Sequence, residues 1–190
     1  LSEEELLNQI SLFSKVFCNQ FLKIEADKSI LELSTAAIKN LRDSPKLNCH
    51  FDFERRNLIA SKANVISVID FQDLCIGPIG IDLAGILLDH YLTFDEAFIK
   101  ESLAFYKTKS SVDLNVDALF ECFRWGGIQR NMRILGTLSR LYINNNRSFR
   151  LNDLPVILDN LISIIPNDLS CKNHLIDTIK PKLIEKLASI

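Results

Sequence analysis

Apolar residues recur at helical spacing along most of this 190-residue chain, and the pattern is interrupted only between residues 47 and 73. Short runs rich in β-branched and apolar residues replace the helical period there, at residues 57–60 and 65–69. The intervening residues 61–64 are typical of a turn. The sequence therefore predicts a mostly α fold with a small β-hairpin, in the α+β class.

The helical period predicts two helices before this hairpin and a helical chain after it to the end. The expected helices cover residues 3–22, 28–42, 80–91, 94–108, 115–143, 152–165 and 170–188. Pro45 ends the second of them, and Pro181 is expected to kink or divide the last.

Composition excludes several classes of function. A net charge of −2 provides no electrostatic reason for binding nucleic acid or an anionic membrane. No apolar run approaches the roughly 20 residues that span a bilayer. The five cysteines are scattered without a C-x-x-C pair, which indicates reduced thiols and no zinc site. We therefore expect a cytoplasmic protein without nucleic-acid or membrane partners.

Three polar residues precede and begin the predicted hairpin. His50, Asp52 and Asn57 fit the pattern H-x-D-x-x-x-x-N, and the apolar run 65–69 ends at Asp70. Phosphoryl transfer needs a carboxylate beside the attacking hydroxyl and separate oxygen ligands for Mg²⁺. The pattern therefore predicts an ATP-dependent phosphotransferase. The alternative is that the histidine is a buried polar residue and that the others belong to turns and a strand end.

Residues 49–91 resemble the aminoglycoside phosphotransferase and choline kinase superfamily, which has the protein-kinase fold. The match includes Gly77-Pro78 and the aspartate of Ile81-Asp82-Leu83-Ala84. Three segments together are similar to the cell-wall sugar kinases that phosphorylate N-acetylmuramate and N-acetylglucosamine at the anomeric position: residues 69–73 (IDFQD), Gly77-Pro78 and residues 125–130 (WGGIQR). The resemblance implies the C-terminal lobe of a kinase-like fold and an amino-sugar kinase of cell-wall recycling. An aminoglycoside-type or choline-type kinase is the alternative enzyme.

The resemblance also implies roles for individual residues. Asp52 matches the catalytic aspartate, Asn57 and Asp70 match Mg²⁺ ligands, and two residues match those that hold the catalytic loop: His50 and Asp82. Phe51 stands where the sugar kinases usually have Arg, and Glu54 stands where they often have His, a position expected to face the acceptor. The substrate-binding candidates are Glu54, Arg56, Gln72, Asp73, Trp125, Gln129, Arg130 and Arg133.

Residues 122–152 contain six arginines and no acidic residue. Arginine pairs with carboxylates in a bidentate fork, so this stretch suits an acceptor with a carboxylate, such as N-acetylmuramate. The alternative is that these arginines face solvent or pair with acids elsewhere in the fold.

Glycine is absent before Gly77, so no Gly-rich nucleotide loop precedes the predicted catalytic loop. We expect one C-terminal-lobe phosphotransferase domain over residues 1–190, without the nucleotide-clamping lobe. Its parts are a helical lead-in (1–46), the catalytic and metal loops (47–91) and a helical acceptor-side region (92–190). Such a chain is expected to be inactive alone and to self-associate. The alternative is a non-catalytic kinase-like module that serves interactions.

Overall fold

The computed structural model describes residues 1–62 and 65–190, which are mostly helical with two small sheets. The α-helices are α1 (Glu3–Leu12), α2 (Lys28–Asp43), α3 (Ile79–Leu87), α4 (Glu96–Lys109), α5 (Val116–Asn145), α6 (Leu154–Ile164), α7 (Cys171–His174) and α8 (Lys180–Ala188). The strands are β1 (Lys46–Cys49), β2 (Leu58–Ala60), β3 (Ile66–Val68) and β4 (Cys75–Pro78). Within the described part of the chain, no helix is both long and apolar enough to span a membrane.

The predicted hairpin is present. β2 and β3 pair antiparallel, with Leu58 opposite Val68 and Ala60 opposite Ile66. Of the predicted turn, Ala63 and Asn64 lie outside the described residues.

The prediction of a single β element was incomplete, because β1 and β4 form a second antiparallel pair. Each strand has only four residues, and Gly77 lies opposite Leu47 from thirty positions further along the chain. A pairing over such a separation leaves no local signal, and its Gly-Pro sequence is more typical of a turn.

By their internal contacts, the residues form two compact units. The first consists of Leu1 and Asn40–Gly127, and the second consists of Ser2–Lys39 and Ile128–Ile190. The expected organisation as one domain of a kinase-like lobe, with divisions at residues 46 and 91, stays a prediction.

An aromatic row runs through the second unit. Ser2 and Glu5 form a capping box that starts α1, and the helix continues as a π-helical segment, Phe13–Leu22. Ring centroids are 5.1 Å apart for Phe13 and Phe17, 6.2 Å for Phe17 and Phe21, and 5.8 Å for Phe21 and Tyr142. The predicted helix over residues 3–22 is therefore confirmed, with its second half wound as a π-helix.

In the first unit, two glycines let α3 and α5 meet backbone to backbone. A Cβ on Gly80 would lie 1.8 Å from the carbonyl oxygen of Cys122, and one on Gly126 would lie 2.1 Å from the carbonyl carbon of Gly80. This close contact fixes α3, the helix that carries Asp82.

The predicted helix over residues 80–91 ends early, because α3 stops at Leu87. The carboxylate of Asp89 accepts a hydrogen bond from the backbone N–H of Tyr91, over 2.6 Å. Such a local hydrogen bond between a side chain and the backbone competes with the hydrogen bonds of the helix. This competition explains why α3 ends before residue 91.

Candidate active site

The irregular loop after β1, residues 50–57, is fixed at its start by α3. Both carboxylate oxygens of Asp82 accept backbone hydrogen bonds, from the N–H of His50 at 2.6 Å and from that of Phe51 at 2.8 Å. Phe51 has φ of 70°, in the left-handed region that bulky residues rarely adopt. Such a conformation costs about 1–3 kcal/mol, and the surrounding structure must hold it. Asp82 supplies part of that restraint.

His50 connects this loop to the segment that leads to Asp70. Its ring is buried, and Nε2 lies 2.9 Å from the carbonyl oxygen of Ile69. Because a carbonyl oxygen only accepts hydrogen bonds, Nε2 is the donor. Asp82 therefore contacts the backbone at the start of the loop, and His50, the first residue of the loop, connects it to Ile69. The loop-supporting role of this pair in catalysis stays a prediction.

Asp52 is held by two neighbouring side chains. The amide nitrogen of Asn57 donates to the backbone oxygen of Asp52 at 2.8 Å and to its Oδ2 at 3.3 Å. Nη2 of Arg56 donates to the same Oδ2 at 3.2 Å. The Asp52 side chain is 32% exposed, so the carboxylate is oriented and still open to solvent.

Glu54 lies within the loop. Its side chain is 7% exposed and forms an ion pair with Nε of Arg56. Burial opposes the charge of Arg56, but the carboxylates of Glu54 and Asp52 outweigh it and raise the arginine pKa above its ordinary value. Arg56 thus joins the two carboxylates, and a contact of Glu54 with an acceptor stays a prediction.

The hairpin brings Asp70 close to Asn57 along the backbone. The N–H of Ile69 donates to the carbonyl oxygen of Asn57 at 3.0 Å, one residue before Asp70. Asp70 is exposed, has φ of 64°, and accepts a hydrogen bond from the amide of Gln72 at 3.1 Å. Gln72 therefore braces Asp70, whereas Asp73 is exposed on the same loop.

The oxygen donors here fit Mg²⁺. The Asn57 amide nitrogen is turned toward Asp52, so the amide oxygen points away from it, and Asp70 adds an exposed carboxylate. Such hard oxygen ligands are those that Mg²⁺ takes, usually together with water and phosphate oxygens. Over residues 1–62 and 65–190, no group of three or more His, Cys, Asp or Glu could hold a metal ion unaided. Water or phosphate oxygens would supply the remaining ligands.

The remaining candidates lie on α5, and only Trp125 shares a compact unit with Asp52. Trp125 lines a cavity of about 210 Å³ whose lining includes none of residues 50–57. In the second unit, Gln129 donates to the Gln9 side chain at 2.9 Å, Arg130 is 2% exposed, and Arg133 is half-buried. Contacts of these residues with an acceptor stay predictions.

The outer arginines of the acid-free stretch are paired by acids just outside it. Arg124 forms an ion pair with Glu121, and Nε of Arg150 lies 2.9 Å from Oδ2 of Asp153. The alternative that these arginines pair with acids elsewhere therefore holds at both ends of residues 122–152.

One pair near the site was not predicted. Nε of Arg55, inside the loop, lies 3.3 Å from Oδ2 of the buried Asp89. Asp89 carried no sequence signal, because it lay within a predicted helix and outside every motif.

The comparisons with known proteins agree with the predicted resemblance. The profile of the APH family, described as the Phosphotransferase enzyme family, matches residues 15–116, more than half of the chain. An N-acetylmuramate/N-acetylglucosamine kinase of Neisseria meningitidis is 29% identical over 167 residues, and the match covers 83% of this chain and 50% of that protein. The kinase of the same name from Pseudomonas putida is 26% identical over 159 residues, 79% of this chain and 47% of that protein.

A third relative of that name, from Pseudomonas aeruginosa, is 24% identical over 162 residues, 80% of this chain and 48% of that protein. The chain spans about half the length of the curated relatives it matches. The residues matched by the family profile include the loop that carries the H-x-D-x-x-x-x-N pattern. The chain belongs to the phosphotransferase enzyme family.

Proposed function

We propose that this chain carries the catalytic loop of a kinase that transfers the γ-phosphate of ATP to a hydroxyl of an amino sugar, N-acetylmuramate or N-acetylglucosamine. The observation that carries the proposal is the held but accessible carboxylate of Asp52, with Asn57 beside it and Asp70 across the hairpin. The three relatives, all N-acetylmuramate/N-acetylglucosamine kinases, support the choice of acceptor.

In this mechanism, Asp52 orients the acceptor hydroxyl and accepts its proton as the oxygen attacks the γ-phosphorus. The bond between the γ-phosphorus and the β–γ bridging oxygen breaks, and ADP is the leaving group. The hydrogen bonds from Asn57 and Arg56 keep the carboxylate in one orientation, which reduces the reorganisation needed at the moment of reaction. When bound, Mg²⁺ neutralises charge on the phosphate oxygens, and Asn57 and Asp70 are the residues that would hold it.

The proposal extends to the setting of the site. We propose that the chain forms the C-terminal lobe of a protein-kinase-like fold and works in the cytoplasm, where ATP is available. Self-association of the isolated chain is also part of the proposal. Its physical reason is a group of large apolar side chains around the hairpin and β4, since Ile66 is 64%, Phe71 60% and Ile76 59% exposed.

The test is a phosphotransfer assay on the complete protein with ATP, Mg²⁺ and each sugar, with the product identified by ³¹P NMR. Asp52→Asn is expected to lower kcat by about 10²–10⁴-fold, the usual contribution of a positioned acid or base. Asp113→Asn is the matched control, because Asp113 is exposed in the same unit and outside the loop. Activity on kanamycin or choline alone would exclude the amino sugar, and no transfer to any acceptor would exclude the phosphotransferase.

A further inference from the structure

Asp89 lies just beyond α3, and its carboxylate is occupied on both oxygens. Oδ1 accepts the backbone N–H of Tyr91 at 2.6 Å, and Oδ2 lies 3.3 Å from Nε of Arg55. The carboxylate is 5% exposed, whereas the Arg55 side chain is 48% exposed. The Asp89 carboxylate, buried and held by the backbone N–H of Tyr91, is therefore the fixed member of this ion pair, and Arg55 is its exposed member.

The same segment restrains Arg55 from a second side. The Arg55 guanidinium lies 5.2 Å from the centre of the Tyr91 ring, a cation–π contact. Arg55 begins the 3₁₀ turn Arg55–Asn57, which also carries Arg56 and the candidate metal ligand. Fixing Arg55 therefore fixes the start of the turn from which two side chains reach Asp52.

The loop is thus anchored at both ends by aspartates that are seven positions apart in the sequence. Asp82 accepts the backbone N–H groups at the beginning of the loop, and Asp89 holds the arginine near its end. Asp52 lies between these two anchors, and its cation partner is Arg56. Arg55, the adjacent arginine, is directed to Asp89 instead.

We propose that Asp89 is a positioning residue for phosphoryl transfer. It keeps Arg55 away from the carboxylate of Asp52, and it holds the turn Arg55–Asn57 in place. This inference rests on the proposed function, because it assigns Asp52 to the acceptor hydroxyl. Without the Asp89 charge, Arg55 is released beside the loop and competes for Asp52. The loss falls on the chemical step, because the carboxylate that should orient the hydroxyl is occupied.

The experiment compares Asp89→Asn, Arg55→Gln and the double variant in the complete protein, in the ³¹P NMR assay with N-acetylglucosamine and ATP. Asp89→Asn is expected to lower kcat at least tenfold and to change each KM less than threefold. Arg55→Gln is expected to lower kcat about threefold, because it loses the anchor but introduces no competing cation. The double variant is expected to match Arg55→Gln and so to exceed Asp89→Asn.

Recovery in the double variant is the readout that a merely structural role would not produce. Asp159→Asn is the control, since Asp159 also pairs with a cation, Lys180 at 2.6 Å, in the second unit. An inactive wild type would contradict the proposed function, whereas an active wild type with unchanged kcat in Asp89→Asn would contradict this inference alone. If Asp89→Asn fails to fold, Arg55→Gln decides, because it leaves the bond from Tyr91 to Asp89 intact. An unchanged kcat in Arg55→Gln then overturns the proposal.

Discussion

The two compact units use the same unusual backbone conformation for different purposes. In the second unit, the non-glycine residues with positive φ are Lys23 and Asn146, and each directly follows a helical segment that it ends. Among the described residues of the first unit they are Phe51, which precedes Asp52, and Asp70, itself a candidate metal ligand. A residue with positive φ ends a helix in the second unit, whereas in the first unit it lies at the candidate site.

The units also differ in what holds them together. The second unit encloses its aromatic row, and Phe13 and Phe17 are both 0% exposed. The first unit has a buried apolar core of its own, with Leu103 and Phe123 both 0% exposed, and it adds hydrogen bonds and ion pairs around the loop. Burial of apolar side chains therefore stabilises both units, and fixed polar contacts additionally shape the candidate loop of the first.

The largest effect is expected from variants that distinguish the roles of Asp52 and Asp70. Asp52→Asn should lower kcat and leave the KM for Mg²⁺-ATP nearly unchanged, because its proposed partner is the acceptor hydroxyl. Asp70→Asn should lower kcat and also raise the KM for Mg²⁺-ATP, because the proposed metal ligand loses its charge. Steady-state kinetics with ATP varied check this, and the same pattern with little loss of rate in both variants would contradict the assignment.

The aromatic row tests the part of the comparison that concerns burial. Phe17→Ala is expected to lower the free energy of unfolding by about 3–5 kcal/mol, because it removes a buried ring and leaves a cavity. Phe149→Ala is the control, since Phe149 is 74% exposed in the same unit. Urea denaturation of both variants measures the difference, and equal losses would show that burial does not stabilise this unit.

The arginines of α5 test whether the second unit contributes to acceptor choice. If Arg133 binds the carboxylate of N-acetylmuramate, Arg133→Met should reduce the preference for N-acetylmuramate over N-acetylglucosamine, measured as the ratio of their kcat/KM values. The expected reduction is about 10–100-fold, equivalent to about 1.5–3 kcal/mol. Arg130 is buried, so Arg130→Met is expected to change the preference less. Arg140→Met is the exposed control. Equal kcat/KM for both sugars in the wild type would exclude carboxylate recognition.

The contact between α3 and α5 gives the smallest expected effect. Gly80→Ala places a methyl group against the Cys122 carbonyl and should destabilise the fold by about 1–3 kcal/mol, the usual effect of overpacking. Gly77→Ala is the matched control, because its nearest neighbour would lie 3.7 Å away. A Tm for Gly80→Ala as high as that of Gly77→Ala would mean that the two helices do not meet closely.

The features that the sequence predicted well are local ones. The β2–β3 hairpin joins neighbouring segments and is present as predicted. The roles of His50, Asp52 and Asn57 come from one short motif and stay predictions. The β1–β4 pair, the Arg55–Asp89 ion pair and the burial of Arg130 depend on residues far apart in sequence or on packing around a charged group. A single sequence has no periodicity that reports such contacts. The early end of α3 belongs with these, because one side-chain hydrogen bond overrode a good helical pattern.

The most direct test of the central claim is where a divalent cation binds. Mn²⁺, added to isotope-labelled protein, broadens NMR signals of nearby groups, and the side-chain amide of Asn57 and the backbone amide of Asp70 can both be followed. With the nucleotide present, these two signals are expected to broaden first, and Asp70→Asn should require a severalfold higher Mn²⁺ concentration. Broadening that begins elsewhere, or that is the same in Asp70→Asn, would contradict the assignment of this loop to phosphoryl transfer.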